Sequence, residues 1–208
     1  MGHGVASTTF YDAKAHGLPY DPLKAIVAPR PIGWISAYSK NGTSSIAPYS
    51  FFNLVSDAPK IVMFASVGWK DAATNAQASG AFAANLVTAN DIERMNATSA
   101  PLPTDQSEFE AFGIPETSCR MVHAPRVADA VASLECTVTQ VVVPLDQDGN
   151  DAEAVIVFGQ VVGYHVADWL MRDGRFDTSA AKPLSRLGYK DYSVVTDLFE
   201  LARPEGAS

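Results

Sequence analysis

The chain has 208 residues, 47% hydrophobic and 18% charged, with 15 basic against 23 acidic side chains for a formal charge of −8. This is the composition of one sizeable globular domain, expected to span residues 1–208. The acidic surplus argues against a nucleic-acid partner, which needs a basic stripe, and no apolar run approaches a membrane span.

The first residues, Met1-Gly2-His3-Gly4-Val5, lack the charged-then-apolar pattern of a secretory leader, so a cytoplasmic protein is expected. Residues 1–20 read as an irregular arm in which His3 and His16 are solvated. Residues 24–27 read as a short strand. Pro29-Arg30-Pro31 then enforces an extended corner, because each proline restricts the residue before it. Residues 32–38 form a strand, Asn41-Gly42 a hairpin turn, and 44–53 the returning strand, interrupted at Pro48 as suits an edge. A buried strand follows over 60–65, then a loop, a helix over 71–78 capped by Asp71, and a strand over 82–88.

Between 89 and 126 the pattern breaks down. Short helices over 91–98 and 106–112 would form an excursion packed on the sheet, since Phe109, Phe112 and Ile114 need burial. Two long strands, 134–145 and 154–166, flank the turn Asp146-Gln147-Asp148-Gly149-Asn150 and make an antiparallel hairpin. Leu134, Cys136 and Val138 alternate with Glu135, Thr137 and Thr139. Gly159 and Gly163 mark a bend or a close backbone approach. A last short strand falls over 192–196. Many short strands with few helices predict a mainly β domain, closed into a barrel to remove its edges.

Cys119 and Cys136 lack metal or disulfide spacing, and the four histidines are too scattered to hold a metal. There is no Rossmann, Walker, HExxH or GxSxG pattern. The remaining candidates are hydroxyls, amides and cations at strand ends. Ser66 and Lys70 flank a glycine-containing loop ahead of a helix whose first turn holds Asp71, Thr74 and Asn75. Free backbone N–H groups there suit a phosphate, although a capped helix with a solvated lysine has the same pattern. Arg30 stands on a stiff backbone that could aim it at a ligand. Trp34, Phe51 and Phe52 could face a flat heterocycle or simply fill the core. Ser50 and Asn53 offer polar contacts, and His165 ends the long strand on the face of Val155, Val157 and Val161 if alternation holds.

Taken together, Arg30-Pro31-Ile32-Gly33-Trp34-Ile35-Ser36, Asn41-Gly42, Ala47-Pro48-Tyr49-Ser50-Phe51-Phe52-Asn53, Lys70-Asp71, Asn85 and the Gly159-to-His165 strand resemble the flavin reductase-like family of FMN-binding split barrels. Ala37, Ser45 and Ala72 depart from its usual pattern. The resemblance implies a Greek-key split β-barrel with a few short peripheral helices, a homodimer, and FMN (or FAD) as cofactor. It implies that Ser36, Ser50, Phe51, Phe52 and Asn53 contact the ring and ribityl chain, and that Arg30, Ser66 and Lys70 hold the phosphate. It places His165 near the flavin or nicotinamide and adds Arg186 and Tyr189 from the tail. The implied activity is transfer of hydride from NAD(P)H to flavin, with a redox partner or monooxygenase as recipient. The alternative is an FMN-carrying electron-transfer protein of flavoredoxin type. No side chain is assigned as nucleophile or acid–base catalyst.

Overall fold

The computed structural model describes residues 7–204; His3 and the rest of the Met1-to-Val5 stretch lie outside them. The first element among the described residues is helix α1 (Leu23–Ile26), not the strand expected over 24–27. The Asp21 carboxylate accepts the Leu23 N–H at 2.8 Å, and Pro22 at the N-cap is already helical. An aspartate and a proline ahead of a short apolar run are helix-start chemistry, and they outweigh the β-branched pair Ile26-Val27.

Strands β1 (Arg30–Pro31), β2 (Gly33–Tyr38), β3 (Ser44–Tyr49), β4 (Phe52–Asp57) and β5 (Lys60–Val67) follow. Helix α2 (Asp71–Ser79) ends at Gly80, whose φ of 72° is the left-handed conformation glycine adopts without strain. Then come β6 (Ala81–Leu86), α3 (Ile92–Ala97), α4 (Glu108–Ala111), β7 (Glu116–Ser118) and β8 (Pro125–Val127). The long hairpin is β9 (Ala132–Val142) and β10 (Ala154–Val166). The tail holds β11 (Met171–Arg172), β12 (Arg175–Phe176), α5 (Thr178–Ala181), β13 (Leu184–Arg186) and β14 (Tyr192–Val194).

Seven strands form one antiparallel sheet in the order β3-β2-β6-β9-β10-β5-β4. Its outermost strands, β3 and β4, are successive in sequence and joined only by Ser50 and Phe51. The sheet must therefore roll until its edges meet at that corner, while β3 and β4 stay unpaired: a barrel with a split wall. Pro48 lies on edge strand β3, where its missing N–H costs no ladder bond.

Inside the barrel, Ile35, Phe64, Phe82, Cys136 and Val157 meet one face of α2 through Ala72, Ala73 and Ala76. Small residues let the helix seat deep in the barrel. Gly159 completes this packing. A Cβ there would lie 2.4 Å from the Phe82 ring. Outside the barrel, the excursion after β6 covers β2 and β3, burying Trp34, Ile46, Met95, Phe109 and Ile114 in a second core, with Phe112 half-buried against it. A smaller sheet, β1-β13-β14, brings the tail back beside Arg30.

The alternation expected along β10 does not hold. Gly159 pairs with Val138 but Phe158 with Gln140, and Val161 pairs with Cys136 but Gly163 with Glu135. The second irregularity adds one residue to β10 and turns every later side chain to the other face. His165, opposite Ser133, therefore faces with Glu135 and not with Val157 and Val161. No helix among the described residues is long and apolar enough to cross a membrane.

Candidate functional site

The Ser50–Phe51 corner is the floor of a cleft of about 450 Å³. Its walls come from α1 (Lys24), β1 (Arg30), the end of β3 (Tyr49), β5 (Ala65, Val67), Lys70 before α2, the end of α3 (Asn96, Ser99) and the tail (Arg186, Tyr189, Tyr192). Six of the residues singled out from the sequence converge here: Arg30, Ser50, Phe51, Lys70, Arg186 and Tyr189. The cleft holds four cationic side chains, Lys24, Arg30, Lys70 and Arg186, and no carboxylate, on a chain of net charge −8. Such a concentration attracts anions against the average field.

The four cations are not equivalent. Arg30 is 8% exposed, and its guanidinium donates to the carbonyls of Lys24 at 2.5 Å, Leu187 at 2.7 Å and Val27. It ties α1 and the tail to β1, and its Nε is buried without a partner among the described residues. Arg186 donates to the Tyr189 carbonyl and lies 4.4 Å from the centroid of the Tyr192 ring. Lys24 Nζ and the Arg30 guanidinium stand 5.9 and 6.0 Å from the Phe51 ring centre, within cation–π range. Lys70 is exposed and forms no salt bridge among the described residues.

Ser66, 1% exposed, does not line the cleft: its strand neighbours Ala65 and Val67 do, and Ser66 lies on the other face of β5 beside Tyr49. Its neighbour Tyr49 has its phenol pushed up to about 12, chiefly by burial. Tyr49 and Lys70 also border an adjoining chamber that contains Asp71 and Glu108. Burial raises the Glu108 carboxyl, outweighing its bonds to backbone N–H groups, one of them that of Ile46 at 3.1 Å. Lys70 thus stands between a cationic cleft and an acidic chamber.

Other expected contacts are placed elsewhere. Trp34 is fully buried, donates from Nε1 to Thr98 Oγ1 at 2.9 Å and carries the Arg94 guanidinium over its ring, so it is a core residue. Ser36 is sealed in the wall: its hydroxyl donates to the Pro125 carbonyl at 2.7 Å. Asn85 closes that network, donating to Trp34 O and Ser36 Oγ and accepting from Val127 N and Ser133 Oγ. These motif residues join the excursion to the barrel.

Asp71 does not cap α2; Lys70 is the N-cap, and no side chain bonds there. Thr74 is exposed and lines neither chamber, and Asn75 donates to Ser45 Oγ at 2.9 Å. Phe52 packs over Gly33, and with Asn53 it lines an apolar recess next to the cleft. His165 is in a separate cleft. Val155 pairs with Ser66, and His165 lies ten residues further along β10 (165 − 155), roughly 30 Å at about 3.3 Å per residue.

Lys24, Tyr49 and Tyr192 were not foreseen as cleft residues. The Asp21-Pro22 helix start could have revealed Lys24, and Tyr49 lies inside the recognised Ala47-to-Asn53 run. Tyr192 has no local signal.

The fold and cleft define a class: mainly β split-barrel proteins with a cationic, aromatic-floored site where the barrel edges meet. The chain belongs to the flavin reductase like domain family, whose model matches residues 27–180. Relatives include the uncharacterized protein BH2278 of Halalkalibacterium halodurans, 37% identical over 191 residues (89% of this chain, 90% of that one). Another is the uncharacterized protein YwrF of Bacillus subtilis, 31% identical over 192 residues (89% and 93%). Among solved structures, nitrilotriacetate monooxygenase component B from Bacillus cereus superposes with a TM-score of 0.80 at 29% identity, covering 86% of this chain and 90% of that one. The 2-nitrobenzoate 2-nitroreductase NbaA of Pseudomonas fluorescens gives 0.78 at 27% identity, covering 89% and 90%.

Proposed function

We propose that this protein is an FMN-binding oxidoreductase that accepts hydride from NADH or NADPH and passes the electrons to a redox partner or monooxygenase. The observation that carries the reading is the cationic cleft: four basic side chains, no carboxylate and an aromatic floor, in a chain that is acidic overall. The residues fit the group. A phosphate dianion would find Lys70 free to move, and Arg30 keeps a buried Nε without a partner among the described residues, the kind of unmet hydrogen-bonding capacity a ligand satisfies.

In this reading Lys70, Lys24 and Arg186 supply positive charge and Arg30 holds the cleft's shape. Phe51 and Tyr189 offer flat faces, and Ser50 a hydroxyl at the corner. The flavin, when bound, supplies the redox chemistry, taking up hydride and releasing electrons. The acidic chamber beyond Lys70 opposes a second phosphate, which favours FMN over FAD. The monooxygenase component B and nitroreductase names of the neighbours, at 29% and 27% identity, support a reductase.

A homodimer is part of the proposal. Next to the cleft, Leu23, Ile26 and Val27 are 61%, 74% and 55% exposed, and Leu54 and Val55 on edge strand β4 are 58% and 48% exposed. Exposed apolar surface of this kind is what a second copy would cover. The test is the absorption spectrum of the purified protein, identification of the extracted flavin, and anaerobic titration with NADH and NADPH. Bleaching of an FMN spectrum by either nucleotide is expected. A colourless protein that ignores added FMN would end the reading.

A further inference from the structure

Four rings border the cationic cleft: Tyr49, Phe51, Tyr189 and Tyr192. Three of them are already engaged. Tyr49 packs on Phe64, with ring centroids 5.1 Å apart. Lys24 and Arg30 stand over Phe51, and the Arg186 guanidinium lies 4.4 Å from the Tyr192 centroid. Tyr189 is different. It is 52% exposed, and no cation stands over it among the described residues. Its ring neighbour is Tyr20, in a T-shaped pair at 5.8 Å.

The backbone holds Tyr189 there at a cost. It lies in the loop 187–191 of the β13–β14 hairpin, inside a turn closed by the Asp191 N–H, which donates to the Gly188 carbonyl at 2.9 Å. Its φ is 52°, the left-handed region, where a bulky side chain is strained and hairpin turns favour glycine. The other two such residues among those described have ordinary reasons. Asp173 shares the two-residue β11–β12 turn with Gly174, and Lys182 ends α5. Position 188 cannot carry the ring instead, because a Cβ there would lie 2.5 Å from the Ala25 Cβ of α1. The Arg186 guanidinium donates to the Tyr189 carbonyl and ties the loop to β13. Strained residues of this kind cost stability and persist where function holds them.

We propose that Tyr189 is a specificity-determining residue of this cleft: the platform on which the flat isoalloxazine ring of the flavin stacks, while Lys70 answers the phosphate. The inference rests on the flavin reading above and divides that reading between two residues. Ring recognition lies in the tail and anion recognition at the N-cap of α2, so the two separate by ligand. Stacked aromatic systems gain more than the area they bury, and a loop that already holds the ring in place leaves little ordering cost to offset that gain.

The test is fluorescence titration of the flavin-free protein with FMN and with riboflavin, which has the same ring and no phosphate, alongside thermal unfolding without flavin. Tyr189→Gly should weaken both ligands by the same factor, ~10-fold, the scale of a good ring stack. Lys70→Ala should weaken FMN but not riboflavin. Tyr189→Phe, which keeps the ring, should retain most of the affinity for both. Glycine and asparagine accept the left-handed region, so Tyr189→Gly and Tyr189→Asn should leave the Tm of the flavin-free protein unchanged or raise it; loss of a ring needed for packing would lower it. A lowered Tm in both variants, or a loss of FMN affinity without an equal loss for riboflavin, would overturn the proposal. Flavin bound equally by the parent and by Tyr189→Gly would overturn it alone. A parent that binds neither flavin would overturn it together with the reading it rests on.

Discussion

Removing Arg30 and removing Lys70 should have unequal consequences for stability and a shared consequence for FMN. Arg30→Ala deletes a nearly buried guanidinium that donates to three carbonyls on two separate segments, Lys24 and Val27 on one side and Leu187 on the other. Hydrogen bonds to a charged group are worth roughly 1.5–3 kcal/mol each, but three from one group do not add, so a loss of about 3–5 kcal/mol is expected. For a chain of this size that is a fall in Tm of roughly 6–20 °C. Lys70→Ala removes an exposed side chain that forms no salt bridge among the described residues and should change stability by less than about 0.5 kcal/mol. Both should weaken FMN, Lys70→Ala by about 1.5–3 kcal/mol, or roughly 10–100-fold, and the difference should shrink as salt rises. Thermal unfolding without added flavin, paired with fluorescence titration of FMN at two ionic strengths, separates the two. An Arg30→Ala protein as stable as the parent would refute the clamp, and unaltered FMN affinity in Lys70→Ala would remove that lysine from the site.

Three further outcomes are expected. Gly159→Val should destabilise by about 1–3 kcal/mol in urea unfolding, because a Cβ there meets Phe82 at 2.4 Å and Cys136 at 3.0 Å, whereas Gly163→Ala, with nothing nearer than 3.4 Å, should cost less; equal losses would refute the close packing. Burial raises the Glu135 carboxyl, but the N–H groups of Arg120 and Met121 and the His165 bond outweigh it and hold it lower than an ordinary glutamate. Its stabilising contribution is thus complete above the unfolded value and lost as pH falls through the lowered folded-state value, so Glu135→Gln should flatten the acid limb of a stability-versus-pH curve. Trp34→Phe should lower stability by about 1–3 kcal/mol through the orphaned Thr98 hydroxyl and lost ring packing while leaving FMN affinity unchanged; a clear loss of flavin binding would restore Trp34 to the site.

The sequence alone carried the local order of the strands: the Asn41-Gly42 turn, the strand at 154–166 and the excursion that buries Phe109 and Ile114 were legible from turn chemistry and from apolar residues that need cover. It also carried the gathering of Arg30, Ser50 and Lys70, through a motif spaced along strand ends. Two things required the tertiary structure. One was which motif residues face the cleft, since Trp34, Ser36 and Asn85 belong to the same recognisable block yet point into the wall that joins barrel to excursion. The other was the face of His165. A single extra residue in β10 turns that side chain from the barrel core to the buried Glu135, and an inserted residue is visible only against the strand it pairs with. Side-chain period along a strand is a local property, but register is a relation between two strands, and only the folded chain contains it.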